Sequence, residues 1–226
     1  MSLAVVIGSS GGIGSALVAR LRQSTSFQQV VGLSRRDGLD LTDGDSVARA
    51  AESVARSGSP ELLIVATGVL HSGQTPERSL KALSADHLMR DYQINAIGPA
   101  LIAKHFLPLM PRDRRATFAA LSARVGSIGD NRLGGWHAYR ASKAALNMLL
   151  RNIAIEAART HPELIVVGLH PGTVATDLSE PFKKGIPPER LFSSDTSAVR
   201  LLTVLDALEP KDSGGVFAWD GSRISE

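Results

Sequence analysis

The chain has 226 residues, 43% hydrophobic and 21% charged, with a formal net charge of +3; this fits a soluble globular protein with a full-sized core and sets the expectation of one domain over residues 1–226. Zero cysteines exclude disulfides and thiolate chemistry, six histidines without ligand spacing argue against a metal, and scattered basic residues without interleaved aromatics argue against nucleic acid. No apolar run reaches the ~20 residues that span a bilayer, and Met1 leads directly into a strand pattern, so no membrane partner, no signal peptide and a cytoplasmic location are expected.

The first element is the β-branched run Val5-Val6-Ile7, read as a strand buried on both faces. It breaks at Gly8; Gly11, Gly12 and Gly14 follow, then a helical stripe carrying Leu17, Val18 and Leu21. Strand, glycine turn and helix in that order make a phosphate cradle. The glycines let backbone approach a ligand, the helix N-terminus aims free N–H groups at an anion, and Ser9 and Ser10 add hydroxyl donors. Taken alone, the same pattern also describes an ordinary strand-to-helix turn.

The second strand, residues 29–33, ends at Ser34-Arg35-Arg36. In dinucleotide-binding folds an acid at this point holds the adenosine ribose, whereas an arginine accommodates a 2′-phosphate. With Ser34 in the acid's place and Arg35 beside it, NADP(H) is the expected cofactor; the alternative is a pair of solvated surface arginines. Residues 38–41 read as a short third strand whose Asp40 and Leu41 reach the adenine, and a helix follows over about 43–56. The fourth strand, 61–66, runs into Thr67 and Gly68 at the rim where ligands of such sheets bind. A long helical region covers 85–110, a fifth strand 116–121, a helix 136–160, a sixth strand 164–169, a helix 194–208 and a last strand 215–219. This alternation predicts a doubly wound α/β fold of Rossmann type, about seven parallel strands with helices on both faces. Residues 177–192 lack periodicity and are expected to form a mobile substrate lid.

Tyr139-Arg-Ala-Ser-Lys143 opens a helix, and its i, i+4 spacing puts phenol and ammonium on one face. A nearby ammonium favours the phenolate and brings the tyrosine nearer the working range of an acid–base catalyst. Alone, such a pair also describes a half-exposed helix face; its weight comes from sharing a chain with the glycine turn.

The chain resembles the short-chain dehydrogenases/reductases over nearly its whole length. The motifs that carry the resemblance are Gly8-x-x-x-Gly12-Ile13-Gly14, Asp40-Leu41, Asn95 in Ile-Asn-Ala-Ile-Gly-Pro, Tyr139-x-x-x-Lys143 and Pro171-Gly172-Thr-Val174-Ala-Thr176. Residues 125–131, Gly134-Gly135 and the ending Phe217-Ala-Trp-Asp-Gly221 are similar to the C-factor and Sniffer-type carbonyl reductases. The resemblance implies an NADP(H)-linked oxidoreductase acting on a carbonyl or alcohol, with Tyr139 as general acid. It further implies that Lys143 reaches the cofactor ribose, that Asn95 holds a kinked helix and a water in the proton relay, and that Pro171, Gly172, Val174 and Thr176 hold the nicotinamide and pyrophosphate side. A homodimer or homotetramer through the helices bearing Asn95 and Tyr139 is implied in the same way. The family's substrate-binding serine falls on Ala123, which leaves Ser122 as the expected substitute, Ser127 as the second choice and no serine at all as the third alternative. A cofactor-binding signalling or regulatory protein with incidental turnover is the competing expectation.

Overall fold

The computed structural model describes residues 2–71, 75–182, 187 and 191–225. Strands β1 (Leu3–Ile7), β2 (Gln29–Leu33), β3 (Pro60–Val65), β4 (Ala116–Leu121), β5 (Leu164–His170) and, near the C-terminus, Val216–Ala218 form one parallel sheet. Thr173–Val174 (β6) pairs with Leu191–Phe192 (β7) in a separate two-stranded ribbon, which makes Val216–Ala218 β8. The main sheet runs β2-β1-β3-β4-β5-β8.

Side chains alternate between the two faces of each strand, and the core divides accordingly. Leu3, Val5 and Ile7 of β1 face α2 (Gly44–Ala55), α4 (Gly98–Phe106) and α5 (His137–Ala157) through Val47, Phe106, Leu146 and Leu150. Ala4 and Val6 face α1 (Gly12–Gln23) and α6 (Ser194–Ala207) through Leu17, Leu21, Ala198 and Leu201. With both faces covered, the strands carry the continuous apolar runs that made them legible. No helix among the described residues is long and apolar enough to cross a membrane.

The expected third strand is corrected by the structure. Residues 38–41 do not join the sheet: Ser46 at the start of α2 donates its hydroxyl to the Gly38 carbonyl and accepts from Asp40 N–H, both at 2.9 Å. The backbone groups a ladder would need are thereby paired to a side chain, and Leu39 and Leu41 are buried as plugs rather than as strand residues. The ribbon β6–β7 is the converse case, a pairing not anticipated. The expected lid falls partly outside the described residues; within it, Asp177–Phe182 forms a 3₁₀ turn.

The long helical region is broken once. Helix α3 (Ala85–Tyr92) passes through a π-helical turn, Gln93–Ile97, before α4 begins. Gly98 N–H donates to the Gln93 carbonyl five residues back, and Pro99 has no N–H to offer the Asn95 carbonyl. The proline removes an α-type bond at this point and the helix widens around Asn95.

Candidate active site

Because the strands are parallel, the segments leaving β1, β2, β3, β4 and β5 collect along one edge. The glycine turn there is sterically fixed. A Cβ on Gly14 would lie 2.1 Å from the Gly8 carbonyl oxygen, and one on Gly12 would lie 2.7 Å from Thr176 Cγ2 and 2.9 Å from Ser194 Oγ. The β6 segment therefore folds down onto the N-terminus of α1. Arg20 of α1 and Asp195 of α6 hold the two helices together by a bidentate pair.

Gly8, Ser10, Ser34, Arg35, Asp40, Leu41, Thr67 and Gly68 line one cleft of about 480 Å³. That size suits the adenosine half of a dinucleotide. Ile13 packs against the core behind the turn. Thr67 Oγ1 is buried with no hydrogen-bond partner among the described residues, an orphan hydroxyl at the edge of the cleft. Two expected contacts are engaged locally. Ser34 Oγ donates to Asp37 Oδ2 at 2.8 Å, and the Asp40 carboxylate accepts from Thr42 N–H and Oγ–H, bonds that hold its pKa below the usual range. Of the two arginines that follow β2, Arg35 lines the cleft. Arg90 and Ile94 also line this cleft; reading the motifs did not find them, since both sit on a helix face with no motif of their own.

Asn95 is fully buried and uses its whole amide. Its Oδ1 accepts from Val69 N–H at 2.8 Å, while Nδ2 donates to the Val69 carbonyl at 2.8 Å and to Ser142 Oγ at 3.0 Å. Ser142 Oγ donates in turn to the Tyr139 carbonyl at 2.9 Å. Lys143 Nζ donates to the Leu121 carbonyl at 2.7 Å and lies 5.8 Å from the Tyr139 ring centroid. Tyr139 packs with Leu70, Ala123, Trp136 and Leu178. Asn95, from a different helix, is thus brought to the Tyr139–Lys143 pair of α5.

On the far side of the glycine turn, the Pro171 carbonyl accepts from Ser197 Oγ at 2.9 Å, Gly172 lies under Phe192 and Trp219, Val174 is buried, and Thr176 reaches Gly12.

The serine expectation meets a different arrangement. Ser122 Oγ donates to Asn147 Oδ1 at 2.6 Å, on α5, whereas the next residue, Ala123, is the one packed against Tyr139. Alternation at the end of β4 turns the two side chains to opposite sides. Ser127 is buried and caps Asp130 N–H at 3.1 Å.

Burial, and after it the charge of Asp91, raises the Tyr139 phenol above its usual range, opposite in sign to the expected effect of Lys143. Burial pushes Lys143 down to about 8, against the opposing pull of Asp91. Asp91 itself is 1% exposed and neither of its oxygens has a hydrogen-bond partner among the described residues; burial pushes it up to about 6. His87 Nε2 lies 3.8 Å from Asp91 Oδ1 and His87 Nδ1 lies 3.0 Å from Glu77 Oε1, while Glu77 Oε2 accepts from Ala138 N–H at 3.3 Å. The signal in the sequence was the spacing of His87, Asp91 and Asn95 by four.

The profile of a family described as short chain dehydrogenase matches residues 2–186. The chain belongs to the short-chain dehydrogenase family. An uncharacterized oxidoreductase of Schizosaccharomyces pombe is 31% identical over 197 residues, covering 82% of this chain and 76% of its own. C-signal of Myxococcus xanthus is 34% identical over 138 residues, 61% of this chain and 77% of its own. The crystal structure of an NADPH-bound carbonyl reductase from chicken fatty liver superposes with a TM-score of 0.83 at 26% identity, covering 99% of this chain and 98% of that one. This short-chain dehydrogenase thus has carbonyl reductase and C-signal relatives, as the resemblance implied, and NAD(P)-dependent oxidoreduction is its family chemistry.

The raised Asp91 carboxyl has a consequence for stability. In the folded chain it holds its proton more tightly than when unfolded, so its contribution to stability falls as pH rises from about 4 to about 6 and is lost above that. Asp91→Asn is therefore expected to stabilise the protein near pH 8 by on the order of 2–3 kcal/mol and to change little near pH 4. Denaturant unfolding at both pH values checks this; equal effects at both would contradict it.

Proposed function

We propose that this single-domain chain is an NADP(H)-dependent reductase of small-molecule carbonyls, with Tyr139 as proton donor. The observation that carries the reading is the convergence of Tyr139, Lys143 and the amide clamp of Asn95 beside a cleft at the carboxyl edge of the sheet. Bound there, the cofactor supplies the hydride. The glycine turn and Thr176 would take its pyrophosphate, Arg35 its 2′-phosphate, and Thr67 and Gly68 its ribose side. The orphan hydroxyl of Thr67 supports the fit, and the chicken carbonyl reductase carries NADPH on the same fold.

In the reaction the carbonyl oxygen lies against Tyr139 Oη. The phenolic O–H bond would break and its proton pass to that oxygen, the hydride for the carbon being what the cofactor would supply. A phenol held above its usual pKa still carries its proton at neutral pH, the state that reduction requires. Lys143, fixed by its bond to the Leu121 carbonyl, stands beside the ring and stabilises the phenolate left behind. Asn95 holds the Val69 loop and the first turn of α5 in register, so it positions both walls. Ser122, bonded to Asn147, is left out of the catalytic set. A homodimer or homotetramer is part of the proposal, supported by exposed Ile97 beside α4 and by Met148 and Ile155, exposed seven residues apart on α5.

One observation favours a second reading, a cofactor-binding regulatory protein with little turnover. Ala123 stands beside Tyr139 without a hydroxyl, and C-signal is among the relatives.

Tyr139→Phe keeps the packed ring and removes the proton, so NADPH binding is expected to survive while turnover of any reduced carbonyl falls by about 10² or more. Comparable turnover in wild type and variant would remove Tyr139 from the reaction. Arg35→Ala is expected to weaken NADPH binding roughly ten- to a hundred-fold and to leave NADH binding nearly unchanged. A titration showing equal losses for both cofactors would contradict the 2′-phosphate assignment. Ala123→Ser places a donor beside Tyr139 where an oxyanion contact is worth about 10²–10³ in rate at best. Steady-state kinetics should show turnover rising by about tenfold or more; a fall would mean that the carbonyl oxygen lies elsewhere.

A further inference from the structure

One buried cluster of titratable groups has no part in the steps above. Glu77, His87 and Asp91 are all almost inaccessible, at 3%, 7% and 1% exposure. They run as a string, carboxylate–imidazole–carboxylate, from the backbone of Ala138, one residue before Tyr139, to the turn of α3 that precedes Asn95. His87, Asp91 and Asn95 follow one another at four-residue steps and are all buried, and Asn95 is tied through Ser142 to the carbonyl of Tyr139. The string therefore brackets the proposed proton donor from behind.

A single imidazole cannot neutralise two carboxylates. Even with His87 cationic, ionised Glu77 and Asp91 leave one net negative charge in the interior. The groups that act on Asp91 are His87 and Arg90 from its own helix, Glu77 from the preceding loop and Lys143 from α5, and Asp91 in turn acts on Tyr139. Arg90 also lines the cofactor cleft and so answers the charge from that side. A buried carboxylate whose oxygens accept no hydrogen bond among the described residues is costly, and an amide of the same shape would cost less. What the position gains from the acid is its charge.

We propose that this anionic string is a positioning device for the reaction: the charge of Asp91, backed by His87 and Glu77, holds the proton on both Tyr139 and Lys143 and sets the pH range in which the site is loaded for carbonyl reduction. The inference rests on the reading of Tyr139 as proton donor. The two effects have the same sign, because an anion favours the protonated form of any neighbour, phenol or amine. The overall equilibrium between carbonyl and alcohol is untouched. What moves is the pH above which reduction loses its proton donor and oxidation gains its base.

Asp91→Asn, which keeps the shape and removes the charge, tests this in two ways. In the cofactor-free protein the side-chain NMR titration of Lys143, assigned by its absence in Lys143→Arg, should move to lower pH by roughly one unit. With NADPH and a carbonyl, the alkaline fall of reduction, and with NADP⁺ and the alcohol the rise of oxidation, should move down by a similar amount. Glu77→Gln can still accept from Ala138 N–H and should shift the same quantities in the same direction by less. A Lys143 midpoint unmoved in the folded variant, or a lower rate with both pH limbs in place, would overturn the proposal and leave a structural role. If wild type reduces no carbonyl, the reading of Tyr139 fails, while the Lys143 midpoint still reports whether Asp91 acts on it.

Discussion

The side chain of Asn95 is the joint on which the site is built. Its amide closes on both backbone groups of Val69 and on Ser142, so the loop leaving β3 and the first turn of α5 are set by one residue. It can reach both because the helix widens there, and the helix widens because Pro99 cannot donate to the Asn95 carbonyl. A sequence of causes thus runs from a missing N–H to the placement of a phenol. An α-turn in place of the π-turn would rotate Asn95 away from α5 and loosen Val69 and Tyr139 together.

Around that joint the site departs from what stability alone favours. Lys143, Asp91, His87 and Glu77 are all buried, and Trp136, at the head of α5, takes a left-handed backbone conformation with φ 49°. Each of these is a cost that packing of the large apolar core must offset. Trp136 lies edge-on to Tyr139, with ring centroids 6.4 Å apart, and its N–H donates to the Glu77 carbonyl, so the strained residue also links the phenol to the acidic string. Costs gathered at one place in a chain are a mark of function.

Most of the fold was legible in the sequence because its parts are local. The apolar runs of β1, β3, β4 and β5, the glycine turn, and the four-residue step from Tyr139 to Lys143 each follow from periodicities that neighbouring residues impose. The failures have non-local or side-chain causes. Leu39 and Leu41 have strand-like alternation, but the hydroxyl of Ser46 takes the hydrogen bonds a sheet would need. Ser122 and Ala123 differ by one position, and which of them faces Tyr139 depends on how β4 ends. The ribbon of β6 and β7 joins segments too short to show a pattern. His87 and Asp91 lie at a visible spacing, yet charged residues on a helix usually face water, and only packing against α5 shows that these do not.

On the reading proposed above, hydride passes from a bound nicotinamide to a carbonyl carbon on this protein. NADPH carrying deuterium at the transferable nicotinamide position, mixed with the enzyme and a panel of aldehydes and ketones, tests it directly by mass spectrometry of the products. Deuterium on the carbinol carbon of at least one product is the expected result. Firm NADPH binding with no label passed to any carbonyl would contradict the claim and leave a cofactor-binding regulatory protein in its place.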